Sequence, residues 1–89
     1  MPEIAVIVRN KVGLHARPAA LFVQTAQQFV SDITVANKDH RANAKSILNV
    51  LTLGANQGAE IVIQAEGEDA ESALDALKSL VDANFGETD

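Results

Sequence analysis

"GLHARPAALFVQTAQQF", Gly13 to Phe29, changes character partway along, and the point of change organises the chain. From Ala19 onward, Phe22, Val23, Ala26 and the pair Phe29 and Val30 recur at spacings of three and four. That period gathers apolar side chains onto one face of an α-helix. Gln24, Thr25, Gln27 and Gln28 fill the opposite face, so the spacing predicts a helix over Ala16 to Gln28. Pro18 then falls in the first turn, where its missing N–H would have no intrahelical partner and its fixed φ suits the helix. The proline marks where the helix starts, which puts His15 at the N-cap and Arg17 in the first turn.

Working outward, "EIAVIV" before this helix is rich in β-branched residues and predicts a first strand from about Pro2 to Val8. After it, "DITVAN" alternates Ile33 and Val35 on one face, and "HRANA" beyond the polar "KD" turn predicts a returning strand in a hairpin. "KSILNVLTLG" pairs a serine N-cap at Ser46 with a closing Gly54, the signals of a short helix whose apolar stripe is Ile47, Val50 and Leu51. "AEIVIQAEG" predicts one more strand, and "EDAESALDALKSLVDANF" a last helix with Ala70, Ala73, Leu74, Leu77, Val81 and Phe85 in helical phase. Glu68, Asp69 and Glu71 stand where that helix's dipole favours anions. Each helix has one apolar stripe to bury, so the economical fold is an antiparallel sheet covered on one face by the helices, in a single domain over residues 1–89.

Composition narrows what such a domain can do. The chain has 89 residues and no cysteine, which excludes disulfides, thiolate zinc sites and a cysteine nucleophile. Its start lacks the features of a signal peptide or membrane span, so the expected setting is the cytoplasm, with no membrane insertion. A net charge of -5 and an aromatic fraction of 3% argue against nucleic acid as a partner. The charge is unevenly spread: through Ala59 six basic residues stand against three acidic ones, whereas from Glu60 nine acidic residues face only Lys78. An anionic ligand therefore belongs with the first segment.

Within that segment, the start of the first helix offers unpaired backbone N–H groups at Ala16 and Arg17 and the positive end of a dipole. The same positive end favours a neutral, nucleophilic imidazole at His15, and Arg17 can present a guanidinium fork to phosphoryl oxygens. Gly13 lets the preceding loop adopt a positive φ or approach another surface closely. Taken by spacing alone, the same residues also fit a plain polar helix start. His40, in the predicted turn, is expected to be a solvent-exposed polar residue, and no set of residues suggests a metal site or a nucleotide phosphate loop.

The residues "GLHARPAALFV" around His15 and "KSILNVLTLG" around Ser46, at this separation and in this order of elements, resemble the histidine-containing phosphocarrier (HPr) family of the phosphoenolpyruvate-dependent sugar phosphotransferase system. The resemblance covers nearly the whole chain. It implies an α+β fold, an open-faced β-sandwich of four antiparallel strands with three helices on one face, in the order β-α-β-β-α-β-α. It also implies a relay rather than a turnover enzyme: His15 accepts a phosphoryl group on Nδ1 from phosphorylated enzyme I and passes it to sugar-specific enzyme IIA domains. Arg17 steadies that group, and no metal or organic cofactor belongs to the protein itself. Ser46 matches the position that an HPr kinase/phosphorylase modifies in low-GC Gram-positive members. Leu48, off the apolar stripe, matches the docking surface for enzyme I and IIA, flanked by Ala20, Gln24, Lys45, Ile47, Leu51 and Thr52. Where some members carry lysines on the first helix this chain has Gln24 and Gln27, which implies less reliance on charge steering. Asn49 stands where glycine is common. Two other roles fit the same resemblance: a regulator acting through phospho-Ser46, and a nitrogen-branch paralogue. A relay meeting several partners through one face is expected to be a monomer.

Overall fold

The computed structural model describes residues 2–86 of the 89. The elements follow the expected order: β1 (Glu3–Ile7), α1 (Ala16–Ala26), β2 (Asp32–Asn37), β3 (His40–Asn43), α2 (Ile47–Leu51), β4 (Glu60–Glu66) and α3 (Ala70–Asp82), then a 3-10 turn at Asn84–Gly86. The strands form one antiparallel sheet in the order β1-β4-β2-β3. β4 is therefore central: Val62 lies opposite both Ala5 of β1 and Ala36 of β2. β2 and β3 are joined by the two-residue turn Lys38-Asp39, with Asn37 opposite His40 and Lys38 at φ 56. His40 is exposed, as the sequence leads one to expect.

The period-two alternation of the strands decides which face is covered. Val6, Ile33, Val35, Ala42, Ile61, Ile63 and Ala65 all point inward and are buried. Against them pack Phe22 and Val23 of α1 and Ala73, Leu74, Leu77 and Val81 of α3. Burial of each large side chain contributes about 1.5–3 kcal/mol, so these stripes hold the helices in place. The other face carries Ala5, Ile7, Thr34, Ala36, Val62 and Gln64, none of them buried. It is laced by Gln64, which accepts from the Arg41 guanidinium and donates to Glu3 at 2.8 Å. The result is the open-faced sandwich.

Three local expectations are corrected, and Asp69 takes a partner the sequence did not show. α1 stops at Ala26 rather than Gln28, because the last turn tightens into three-residue bonds from Gln28 N–H to Thr25 O (3.1 Å) and Phe29 N–H to Ala26 O (3.2 Å). α3 ends at Asp82, and Phe85, in phase with its stripe, reaches the core by another route: Asn84 and Phe85 take left-handed conformations, φ 54 and 56, that turn the ring inward. The Asp69 side chain makes no capping bond at its own helix start. Its carboxylate instead accepts from the Ser31 hydroxyl and from the N–H groups of Ser31 (3.0 Å) and Val30 (2.9 Å), tying α3 to the entrance of β2. The Ser31 hydroxyl first, then the Val30 N–H, hold that carboxyl below its usual value of 3.8. In α2 only Val50 of the expected stripe is buried. A five-residue helix is too short to hide three positions, and Ile47 and Leu51 stay 38% and 37% exposed.

Candidate functional site

Two loops meet at the edge of the sheet beside the start of α1. The first leads from β1 through Asn10 to His15, and the second leads from α2 through Gly54 to Gly58 into β4. Because β1 and β4 are paired, their ends bring the loops together: Val8 N–H donates to Ala59 O at 2.9 Å and Gly58 N–H to Val8 O at 2.7 Å. Further along, Gln57 Nε2 donates to Arg9 O at 3.1 Å and Leu14 N–H to Ala55 O at 2.8 Å. Gly13 makes the contact close. It sits at φ +68, and a Cβ there would overlap the Ala55 carbonyl oxygen and come within 2.7 Å of Asn56 Cα. Asn10 braces the first loop from within, its Nδ2 donating to Gly13 O at 2.9 Å.

His15 emerges from this junction exposed, between Leu14 and Pro18, which are buried. It occupies the N-cap with extended backbone, φ -125 and ψ 159, but its side chain makes no capping bond. The ring instead reaches the second loop, where Nε2 lies 3.3 Å from Asn56 Oδ1. Ala16 next takes φ 46, a left-handed conformation that costs a residue with a Cβ roughly 1–2 kcal/mol. That turn carries the chain from the extended His15 into the helix. In the first turn the N–H groups of Ala16 and Arg17 precede the regular i to i−4 ladder, and Ala19 N–H is the donor to His15 O, at 3.4 Å. Arg17 is exposed beside them. An exposed imidazole, a helix start and a guanidinium within three consecutive residues can hold a phosphoryl group, with the basic segment around them.

Ser46 caps α2, its Oγ accepting from Asn49 N–H at 3.4 Å and from Asn49 Nδ2 at 3.2 Å. Leu48 is 74% exposed, with Ile47 and Leu51 on the same short helix. Ala20 is half-buried and Gln24 exposed on α1, which packs against α2. Thr52 closes α2, its hydroxyl donating to Asn49 O at 2.6 Å. Lys45 turns toward the other end of α1, its ammonium donating to Phe29 O at 2.7 Å while its own carbonyl accepts from Gln27 Nε2 at 3.1 Å. Among the described residues, no group of three or more His, Cys, Asp or Glu side chains converges as a metal site would require. Among the described residues, no helix is long and apolar enough to cross a membrane.

Asn56 is the residue that reading the sequence missed. It lies 41 positions from His15, in a stretch whose local signal is only that of a loop, and the pairing of β1 with β4 is what brings the two together.

Comparison with known proteins bears on this geometry. Residues 2–83 match the family model described as the PTS HPr component phosphorylation site. The phosphocarrier protein HPr of Xylella fastidiosa is 45% identical over 87 residues, covering 98% of each chain. A crystal structure of HPr from Thermoanaerobacter tengcongensis is similar with a TM-score of 0.96 and 49% identity, over 99% of each chain. A crystal structure of an HPr dimer from the same organism gives 0.79 at 49% identity, over 98% of this chain and 100% of that one.

Proposed function

The chain belongs to the HPr family of phosphocarrier proteins of the phosphotransferase system, and on that premise we propose that His15 takes a phosphoryl group from phosphorylated enzyme I and passes it to sugar-specific enzyme IIA domains. The family role is that of a carrier in sugar transport, not of a catalytic enzyme. The observation that supports His15 as the carrier atom's residue is its position: an exposed imidazole at the start of an eleven-residue helix, next to Arg17. Transfer through a loose transition state asks for positioning and charge stabilisation more than for covalent chemistry, and these groups supply both. The guanidinium of Arg17 meets the equatorial oxygens, and the first-turn N–H groups of Ala16 and Arg17 meet the charge left on the phosphorylated ring's substituent.

The exposed Ile47, Leu48 and Leu51 form the apolar part of the surface that meets partners, with Ala20, Gln24, Lys45 and Thr52 around it. A single docking face serving donor and acceptors in turn favours a monomer in the cytoplasm. Ser46, at the start of α2, is the candidate for a second, regulatory phosphorylation that would place charge beside that face. The deciding experiment is incubation of the protein with phosphoenolpyruvate, magnesium and enzyme I. One acid-labile phosphoryl group per chain is expected on the native protein and none on His15→Ala; labelling that persists in the variant refutes the assignment.

A further inference from the structure

We propose that Asn56 is a positioning residue for His15, its carboxamide oxygen accepting the Nε2 proton and so holding the ring in the tautomer whose lone pair is on Nδ1. The proposal rests on the carrier reading of His15 and adds the residue that orients it. The geometry is direct: Nε2 and Asn56 Oδ1 are 3.3 Å apart. A carboxamide oxygen only accepts, so the imidazole nitrogen facing it must carry the hydrogen. A neutral ring has one such hydrogen, and the other nitrogen is left as the nucleophile.

The contact is held by the backbone on both sides, which separates it from a chance meeting of two exposed side chains. The Asn56 loop is pinned to the His15 loop by the bonds from Leu14 N–H to Ala55 O (2.8 Å) and from Gln57 Nε2 to Arg9 O (3.1 Å). One residue before Leu14, Gly13 admits the Asn56 backbone where any side chain would collide with it. Neither loop can shift without breaking these ties, so the backbones that carry His15 and Asn56 are held side by side.

The transfer step balances with that proton left where it is. The Nδ1 lone pair forms the bond to phosphorus, the bond from phosphorus to the donor atom breaks, and its electron pair stays on the donor. The ring gains positive charge while Nε2 keeps its hydrogen, and the bond to Asn56 strengthens as its donor becomes charged. Passing the group to the next acceptor reverses these changes. Asn56 thus favours the nucleophilic tautomer before transfer and the phosphorylated ring after it, without touching the phosphoryl group.

The test uses the full-length chain labelled with nitrogen-15, comparing imidazole nitrogen–proton correlations at about pH 8 in native protein, Asn56→Leu and Asn56→Asp. The native ring is expected mainly with its hydrogen on Nε2. Asn56→Leu, of similar size but without an acceptor, should raise the share of the Nδ1–H form about threefold to tenfold, the range that corresponds to losing one ordinary hydrogen bond. Asn56→Asp keeps an acceptor oxygen, now charged, and should keep the hydrogen on Nε2 at least as strongly as the native protein. Acceptance of the phosphoryl group from phosphorylated enzyme I should slow by a similar factor in Asn56→Leu and not in Asn56→Asp. A native ring protonated on Nδ1, or a native-like ratio in Asn56→Leu, overturns the proposal; a shifted ratio with an unchanged rate refutes its role in transfer. Should Asn56→Leu lose its folded amide spectrum, Asn56→Ala takes its place in the same comparison. The tautomer measurement needs no donor protein, so a failure of His15 to be phosphorylated at all counts against the carrier reading and leaves this comparison intact.

Discussion

Replacing Gly13 with alanine tests how the two loops at the site are joined. The substitution has two separable costs. At φ +68 an alanine occupies the left-handed region, which costs about 1–2 kcal/mol. Its Cβ also meets the Ala55 carbonyl and Asn56 Cα, backbone atoms that cannot rotate aside, and overpacking of that kind adds about 1–3 kcal/mol. The sum, about 2–5 kcal/mol, is a large share of the 5–15 kcal/mol that is roughly typical of a native domain. Gly54→Ala is the matched control: it has nearly the same φ, +64, but nothing within 4 Å of the added carbon, so only the first cost of about 1–2 kcal/mol applies. Urea unfolding followed by circular dichroism at 25 °C gives both values. A Gly13→Ala loss no larger than that of Gly54→Ala would refute the claim that close approach of the loops demands this glycine.

Other outcomes follow from the same structure. Asp69 is held below its ordinary value of 3.8, first by the Ser31 hydroxyl, so it stabilises the fold above that value and loses the contribution as pH falls through its lowered one. The gap in urea midpoint between native protein and Asp69→Asn should therefore be full at neutral pH and close below about pH 4; a gap that does not vary with pH contradicts this. Phe22, wholly buried between α1 and the sheet, should cost about 3–5 kcal/mol on truncation to alanine, measured by the same unfolding curves. Ser46→Ala removes the cap of α2 and should cost about 1 kcal/mol while His15 still takes up a phosphoryl group. Arg17→Ala should slow that uptake roughly tenfold or more and leave the thermal midpoint unchanged, since the side chain is exposed.

Much of this architecture can be read from residue spacing, and the exceptions have physical causes. The stripe from Ala19 to Ala26 and the proline before it locate α1 because both act within one helix. Alternation in "DITVAN" and "AEIVIQAEG" does the same for the buried faces of β2 and β4. Phase alone carries α3 through to Phe85, but the chain leaves the helix at Asp82 and returns the ring to the core by left-handed residues, a choice made by packing rather than by propensity. Asp69 looks like an acid at a helix start and acts instead as a clasp on Ser31, a partner 38 positions away. At the candidate site, the sequence singles out His15, Arg17 and Ser46 because each stands at a helix start with local signals. Asn56 is not, since its meaning comes only from the strand pairing that carries it to the histidine.

That pairing also sets a timetable for the chain as it is made. Synthesis runs from the N-terminus, so His15 leaves the ribosome well before Asn56, 41 residues later, and before β4, which follows Asn56 and draws the two loops together. Contacts at such sequence separation form late, after the cost of closing the intervening chain has been met. A nascent chain thus displays the histidine before its contact with Asn56 can form. The two loops of the candidate site meet only once β4, the last strand in chain order, is paired with β1.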